Sequence, residues 1–391
     1  MIKKLFNGII NFAKRKPSLF IVILLALIVG FLFITYEALH MTSEPKFCAL
    51  CHEDAESGPG AEYYTWEKNV HAAVDVTCLD CHGKPGFIGY MRAKMGGLYD
   101  VYAQMVLSAE EKKEILTKGA TDVTYAAELV PNDWCLFCHS DEVNKTTREN
   151  TFMSFLGVKM RNLDKVVNPE FRQKYALPDL FTEPTTGVDP NHTTHVKELG
   201  LSCMNCHLNV AHGNEFYNRT KMDTCFTCHD AERDKKEGQK MPENDDCASC
   251  HQLVVKEQEG NFLEDKGIEA MEWYMPSLTG ECSSCHMDAE TPPTPQSCID
   301  CHDESYGEMM VTFQDDFTAQ KEALTPVWQE LFKSQNIMTD EERAKFHQLN
   351  YFYTLIDMDG SKGIHNTDLM NSVFEKANEL ATELKESMAQ R

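Results

Sequence analysis

The longest uninterrupted apolar run in the chain is SLFIVILLALIVGFLFITY, Ser18 to Tyr36, nineteen residues without a charge. At a rise of about 1.5 Å per residue it nearly crosses a hydrocarbon core of roughly 30 Å, so it predicts a membrane-spanning helix. The preceding MIKKLFNGIINFAKRK carries Lys3, Lys4, Lys14, Arg15 and Lys16 and no acidic residue. Residues 2–13 read as a short amphipathic helix on the inner membrane surface. No small-x-small cleavage site follows the apolar run, whose exit reads EALHMTSEP, so an uncleaved anchor is read in preference to a cleaved signal peptide. The positive-inside rule then puts everything after Glu37 outside the cytoplasm. At the other end, residues 311–391 repeat apolar positions at helical spacing, in FTAQKEALTPVWQELF and LMNSVFEKANELATELKESM, and predict helices. Between these regions neither helical nor strand periodicity persists, and polar stretches are long. Something other than aliphatic side chains must fill that interior.

Cysteine supplies the missing material. All 16 cysteines fall into eight pairs spaced three apart: Cys48/Cys51, Cys78/Cys81, Cys135/Cys138, Cys203/Cys206, Cys225/Cys228, Cys247/Cys250, Cys282/Cys285 and Cys298/Cys301. Each pair is followed at once by histidine: His52, His82, His139, His207, His229, His251, His286 and His302. With 15 histidines in 391 residues, eight successes in eight do not come from composition. A disulfide framework gives no reason for a neighbouring histidine, and zinc sites would close as CxxC…CxxC or CxxC…HxxxH. CxxCH is the attachment signature of c-type haem, in which the thiols bond the porphyrin vinyl groups and the adjacent imidazole takes the iron. One helical turn presents both sulfurs. The sequence therefore implies eight covalently attached haem c groups. These large apolar bodies would be the core for some 270 residues, and without them the chain is expected not to fold.

The fold class that follows is mostly α: a multihaem cytochrome c of short helices and loops wrapped around haems, with one N-terminal transmembrane helix. The organisation reads as residues 1–40, cytoplasmic N-terminus and anchor; 41–215 and 216–310, two segments of four motifs each; and 311–391, a helical region. The formal charge of -24 argues against nucleic acid, which needs a basic surface. It suits either an acidic face that steers a basic partner or a surface charged for solubility.

Each iron has one axial position beyond its motif histidine. The histidines outside the motifs are His40, His71, His192, His195, His212, His347 and His365, seven for eight irons. His40 sits at the end of the apolar run, so it is the weakest candidate and the shortfall is one or two. Methionine could complete a site, though no spacing singles one out. An iron without a strong sixth ligand can bind substrate or lie beside quinol.

Residues 17–212 resemble the NapC/NirT (NrfH-like) family of membrane-anchored tetrahaem quinol dehydrogenases. The resemblance rests on the anchor, EPKFCALCHED (44–54), YTWEKNVHAAVDVTCLDCHGKP (64–85), NDWCLFCHS (132–140) and HTTHVKELGLSCMNCHLNVAHG (192–213). The family's WxxSxH and HxxH…CxxCHxxxAH patterns match Trp66, His71, His195 and His212, with Asn69 in the serine position. The resemblance implies that His71, His212 and one of His192 or His195 are distal ligands. It also implies a quinol pocket by the first haem, with Lys94 and Asp100 of RAKMGGLYD in the places of the family's lysine and carboxylate. The chain departs from the family's CxxCHxM at Asp54, so either His52 ligates directly or the site is open or carboxylate-bound.

The segment DMDGSKGIHN (357–366) is similar to one near the end of pentahaem nitrite reductases and hydroxylamine oxidoreductases, where a C-terminal helical hairpin supplies a distal histidine. His365 matches it. An EF-hand reading fails on Lys362 where glycine is needed and on Asp368 in place of glutamate. Two functions stay open. One is an electron relay from membrane quinol, menaquinol or ubiquinol, to a periplasmic cytochrome or reductase, alone or in a larger respiratory complex. The other is a terminal reductase of a small nitrogen or sulfur oxyanion at an open haem, although the CxxCK motif of the pentahaem nitrite reductases is missing.

Overall fold

In a computed structural model of the chain, the described residues are 11–52, 58–84, 87–144, 174–175, 179–181, 192–229, 247–287 and 291–390. Asp54 and residues 2–10 of the N-terminal stretch lie outside them. Among the described residues the fold is mostly α, without strands. Six long helices organise it: α1 (Pro17–Met41), α2 (Phe87–Val106), α3 (Ala109–Thr121), α4 (Glu304–Lys333), α5 (Asp340–Met358) and α6 (Thr367–Ala389).

The first of these, α1, has no buried residue along its 25-residue length. It is the single described helix long and apolar enough to cross a membrane. Among the described residues from Pro45 to Ile299 the helices other than α2 and α3 run to at most eight residues, and the motifs lie on or at such short turns. In five motifs the histidine N–H donates to the carbonyl of the first cysteine four residues earlier, at 2.8–2.9 Å, as in His207 to Cys203 and His302 to Cys298. The remaining three motifs end short helices, Pro45–His52, Cys78–His82 and Asn132–His139. Each motif is thus one helical turn.

The C-terminal region is built differently. Helices α5 and α6 form an antiparallel hairpin, with α4 packed along both. Their starts are fixed by side chains that satisfy the first N–H groups. Asp303 caps α4, Thr339 and Glu342 form a reciprocal capping box on α5, and Asn366 caps α6. Trp328, Phe346, Phe352 and Phe374 are fully buried between the helices. Trp328 stacks on Tyr353 at 3.9 Å and donates its indole N–H to Asn350 Oδ1 at 3.1 Å. This is an ordinary aromatic and aliphatic core made by the chain itself. The C-terminal bundle thus has a core of its own beside the motif region, for which haem is the expected core. Trp328→Ala is expected to cost about 3–5 kcal/mol, read as a lower denaturant midpoint of the full chain.

Several contacts join the bundle to the motif region. Phe216 packs edge-on against Trp328 and Phe332 at 5.1 and 5.5 Å. Arg219 and Lys321 both pair with Asp357, at 2.8 and 2.9 Å. Deeper in, Asn366 Nδ2 donates to the carbonyls of Glu257 and Met271, each at 2.9 Å. The loop between α5 and α6, which carries His365, is thereby tied to the sixth motif's neighbourhood. Asp359 shapes that loop by accepting from Ser361 N–H at 2.9 Å and Gly363 N–H at 2.6 Å.

Candidate haem and quinol site

All 15 histidines lie in the described part of the chain. Five of the eight motif histidines face a histidine from outside the motifs. The ring centroids are 6.5 Å apart for His139 and His71, 6.2 Å for His82 and His212, 6.5 Å for His207 and His192, 6.0 Å for His229 and His195, and 6.4 Å for His286 and His365. Two imidazoles bonded to opposite sides of one metal, with bonds of about 2.0–2.1 Å and roughly 1.2 Å from nitrogen to ring centre, have centroids about 6.4 Å apart. The five spacings lie around that value. What sets them apart from ordinary aromatic contacts of similar length, such as Tyr63 with Tyr64 at 6.3 Å, is that each joins a motif histidine to one outside the motifs.

Burial and hydrogen bonds set these rings in the form a metal takes. Desolvation pushes His71 and His82 down to about 4 and lowers His207, His212, His286 and His365, so each is a neutral imidazole near pH 7. His71 Nδ1 contacts Asn69 Oδ1 at 2.7 Å, and Asn69, fully buried, donates in turn to the carbonyls of Val210 and Phe216. His212 Nδ1 contacts the Glu62 carbonyl at 3.1 Å. With Nδ1 occupied, Nε2 is left for iron. The ring of His365 has its Nδ1 3.9 Å from the buried carboxylate of Glu257. Burial first, and then the charge of Asp359, raises that carboxyl well above its usual range.

Three motif histidines face no histidine among the described residues. His52 is held by Glu62 Oε2 at 3.4 Å, a hydrogen bond that raises its pKa. His302 stacks on Tyr306 at 4.2 Å. His251 is half-buried and lowered by desolvation. Outside the motifs, His40 lies 3.9 Å from Glu44 at the end of α1. His347 lines a cavity with Asp265, Lys266, Gln348 and Tyr351. Neither ring stands opposite a motif histidine.

None of the sixteen motif cysteines is in a disulfide, and none is buried. Their thiols show how the motifs are grouped. Cys48 contacts Cys78, Cys135 contacts Cys203, and Cys247 contacts Cys282. Electrostatic coupling further links Cys81 with Cys135, Cys206 with Cys225, and Cys285 with Cys298. Motifs one to five therefore form one continuous series, and motifs six to eight another.

The second cysteines of five motifs, Cys51, Cys138, Cys228, Cys250 and Cys301, are expected from the sequence to carry the other thioether. What the structure gives for them is the motif turn itself. Cys228, Cys250 and Cys301 each donate their backbone N–H to the carbonyl of their own first cysteine, Cys225, Cys247 and Cys298, at 3.1, 3.2 and 3.2 Å. Cys51 and Cys138 sit in the last turns of Pro45–His52 and Asn132–His139. Cys51, Cys138 and Cys250 are half-buried, and Cys228 and Cys301 are exposed.

Residues 13–156 match the NapC/NirT cytochrome c family, N-terminal region, and residues 172–271 match the class III cytochrome C family. The first part of the chain is thus similar to a NapC/NirT cytochrome domain and the next to a class III cytochrome c domain. Among curated relatives, the cytochrome c-type protein TorY of Escherichia coli is 28% identical over 135 residues, 32% of this chain and 36% of the relative. The cytochrome c-type protein ImcH of Geobacter sulfurreducens is 33% identical over 159 residues, 39% of this chain and 28% of the relative. TorY of Haemophilus influenzae is 30% identical over 144 residues, 35% and 38% of the two chains. The chain thus spans about a third of the length of the relatives it matches. No solved structure matches it. Both matching families are cytochromes c, which implies covalently bound haem c. The opposed imidazole pairs fit that group.

Lys94 and Asp100 both lie on α2 of the NapC/NirT domain, at the first motif. Lys94 Nζ donates to Thr42 Oγ1 at 3.0 Å, at the end of the anchor, and interacts electrostatically with Cys48. Asp100 interacts electrostatically with His52. Partial desolvation lowers the lysine and raises the aspartate. Sequence reasoning paired the lysine with the carboxylate but missed the orienting roles of Glu62 and Asn69. Asn69 could have been found from WEKNVH, where it precedes His71 by two residues.

Proposed function

We propose that this chain is an octahaem c-type cytochrome that takes electrons from membrane menaquinol or ubiquinol and delivers them to a periplasmic cytochrome or reductase in anaerobic respiration. The sixteen motif cysteines attach the haems, with Cys51, Cys138, Cys228, Cys250 and Cys301 each completing the pair begun three residues earlier. The eight motif histidines are the proximal ligands. His71, His192, His195, His212 and His365 are distal ligands to the irons of motifs three, four, five, two and seven. Haem c supplies one-electron redox chemistry at each iron when bound.

The observation that carries the reading is the place of Lys94 and Asp100, between the membrane end of α1 and the first motif. Quinol oxidation releases two protons with its two electrons, so a base is needed beside the electron acceptor. The Asp100 carboxylate accepts a quinol proton, and its raised pKa makes it a stronger base than an ordinary aspartate. The Lys94 ammonium stabilises the oxygen from which the proton leaves. The basic segment before α1 stays cytoplasmic, which puts the motif region in the periplasm or at the cell exterior.

The test uses the full chain in lipid vesicles with a water-insoluble menaquinol analogue under anaerobic conditions. Haem absorbance should shift to the reduced form without a soluble mediator. Failure to reduce any haem, in protein that dithionite reduces fully, would remove the quinol reading.

His52, His251 and His302, which no histidine faces among the described residues, favour a second reading. An iron at one of these motifs would be a reductase site for a small nitrogen or sulfur oxyanion. A high-spin ferric signal that shifts with nitrite or hydroxylamine, together with steady turnover, would select it.

A further inference from the structure

Helix α2 has an amphipathic pattern turned outward. Ile88, Met95, Leu98, Tyr102, Met105 and Val106 fall within an arc of about 100° on a helix of 3.6 residues per turn. All six are exposed, Ile88 by 78% and Met105 by 75%. The opposite arc carries Gly89, Ala93, Asp100 and Ala103, and Gly89 is buried. On that arc Ala93 and Ala103 are half-buried and Asp100 is exposed, so the large apolar stripe faces outward and does not pack on a core.

The position of α2 says what covers the stripe. Its first turns are fastened to the end of the anchor. Tyr90 Oη donates to the Leu39 carbonyl at 3.0 Å and lies 2.8 Å from Ser43 Oγ, and Lys94 Nζ donates to Thr42 Oγ1. Helix α1 is apolar and unburied up to Met41, so residues 39–43 mark the depth at which the chain leaves the hydrocarbon. The stripe therefore begins beside the unburied apolar surface of α1 and belongs to a helix of 20 residues, about 30 Å long. Tyr102 and the neighbouring exposed Tyr99 have the amphipathic rings that favour the headgroup layer.

We propose that α2 lies along the membrane surface with this face in the boundary between headgroups and acyl chains, a second contact between the protein and the bilayer. The inference is independent of quinol oxidation and of the haem count. It fixes the orientation of the first motif relative to the membrane, because one spanning helix alone leaves the domain free to swivel.

The experiment places photoreactive p-benzoylphenylalanine at Met95, Leu98 or Met105 of the full chain, in vesicles of phosphatidylethanolamine and phosphatidylglycerol. Glu110, exposed at the start of α3, is the comparison position. After illumination, mass spectrometry should find phospholipid adducts at the three stripe positions, several-fold above Glu110. Adducts to a second copy of the chain in place of lipid would show that protein covers the face and overturn the proposal. Absence of lipid adducts, or equal labelling at Glu110, would overturn it as well.

Discussion

Asp100→Asn is expected to slow reduction of the full chain by a menaquinol analogue about 10²-fold, the lower end of what a positioned base contributes. Haem content and the visible spectrum should be unchanged, because Asp100 belongs to no helix cap or core. Lys94→Ala should act in the same direction. Reduction by dithionite, which needs no proton acceptor from the protein, should be untouched in both. The pH profile gives the sharper reading. Only the ionised carboxylate accepts a proton, and partial desolvation raises the pKa of Asp100. The wild-type rate should therefore fall as pH drops through that raised value, and the Asn variant should lose this limb. Equal rates in all three proteins would leave the two residues with a structural role only.

The second large effect concerns the iron ligands. Replacing His71, His192, His195, His212 or His365 with glycine should convert one haem equivalent from low-spin to high-spin. Ferric electron paramagnetic resonance reads this directly. Added imidazole should restore the low-spin signal by filling the space the side chain left. The expectation rests on ring separations of 6.0–6.5 Å, which leave room for one iron between each pair. His347→Gly and His40→Gly are the contrast, since neither ring faces a motif histidine. An unchanged spectrum in His212→Gly, or a new high-spin haem in His347→Gly, would break the assignment for that pair.

The motifs were legible because covalent chemistry is local. Two thiols and an imidazole must occupy one helical turn, so the whole attachment site is five consecutive residues. That is why Cys51, Cys138, Cys228, Cys250 and Cys301 could be assigned from spacing alone, while the thiol contacts between motifs, such as Cys135 with Cys203, could not. The anchor was legible for a similar reason, since a bilayer demands an unbroken apolar length. The helical nature of residues 311–391 could be read from periodicity, but the burial of the helix between the two quoted stretches could not. DEERAKFHQLNYFYTLIDM mixes an acidic first turn with aromatic residues, and its burial is decided by the helices on either side. Glu257 gave no signal at all. Its chemistry comes from a loop a hundred residues away.

Ligand pairing marks the division between the two kinds of information. By itself the sequence determined the membrane helix, the eight attachment motifs, the histidines available as second ligands and the mostly helical character. It left the choice between His192 and His195 open, and it put His347 beside His365 as a candidate of the same kind. Tertiary structure decided those points by giving both His192 and His195 a motif partner, at 6.5 and 6.0 Å, and placing His347 against Lys266 and Tyr351. The physical reason is that a ring is brought opposite a motif histidine by packing between segments far apart in the chain, as the loop carrying His365 is fastened by Asn366 to the carbonyls of Glu257 and Met271. No local spacing encodes such a contact.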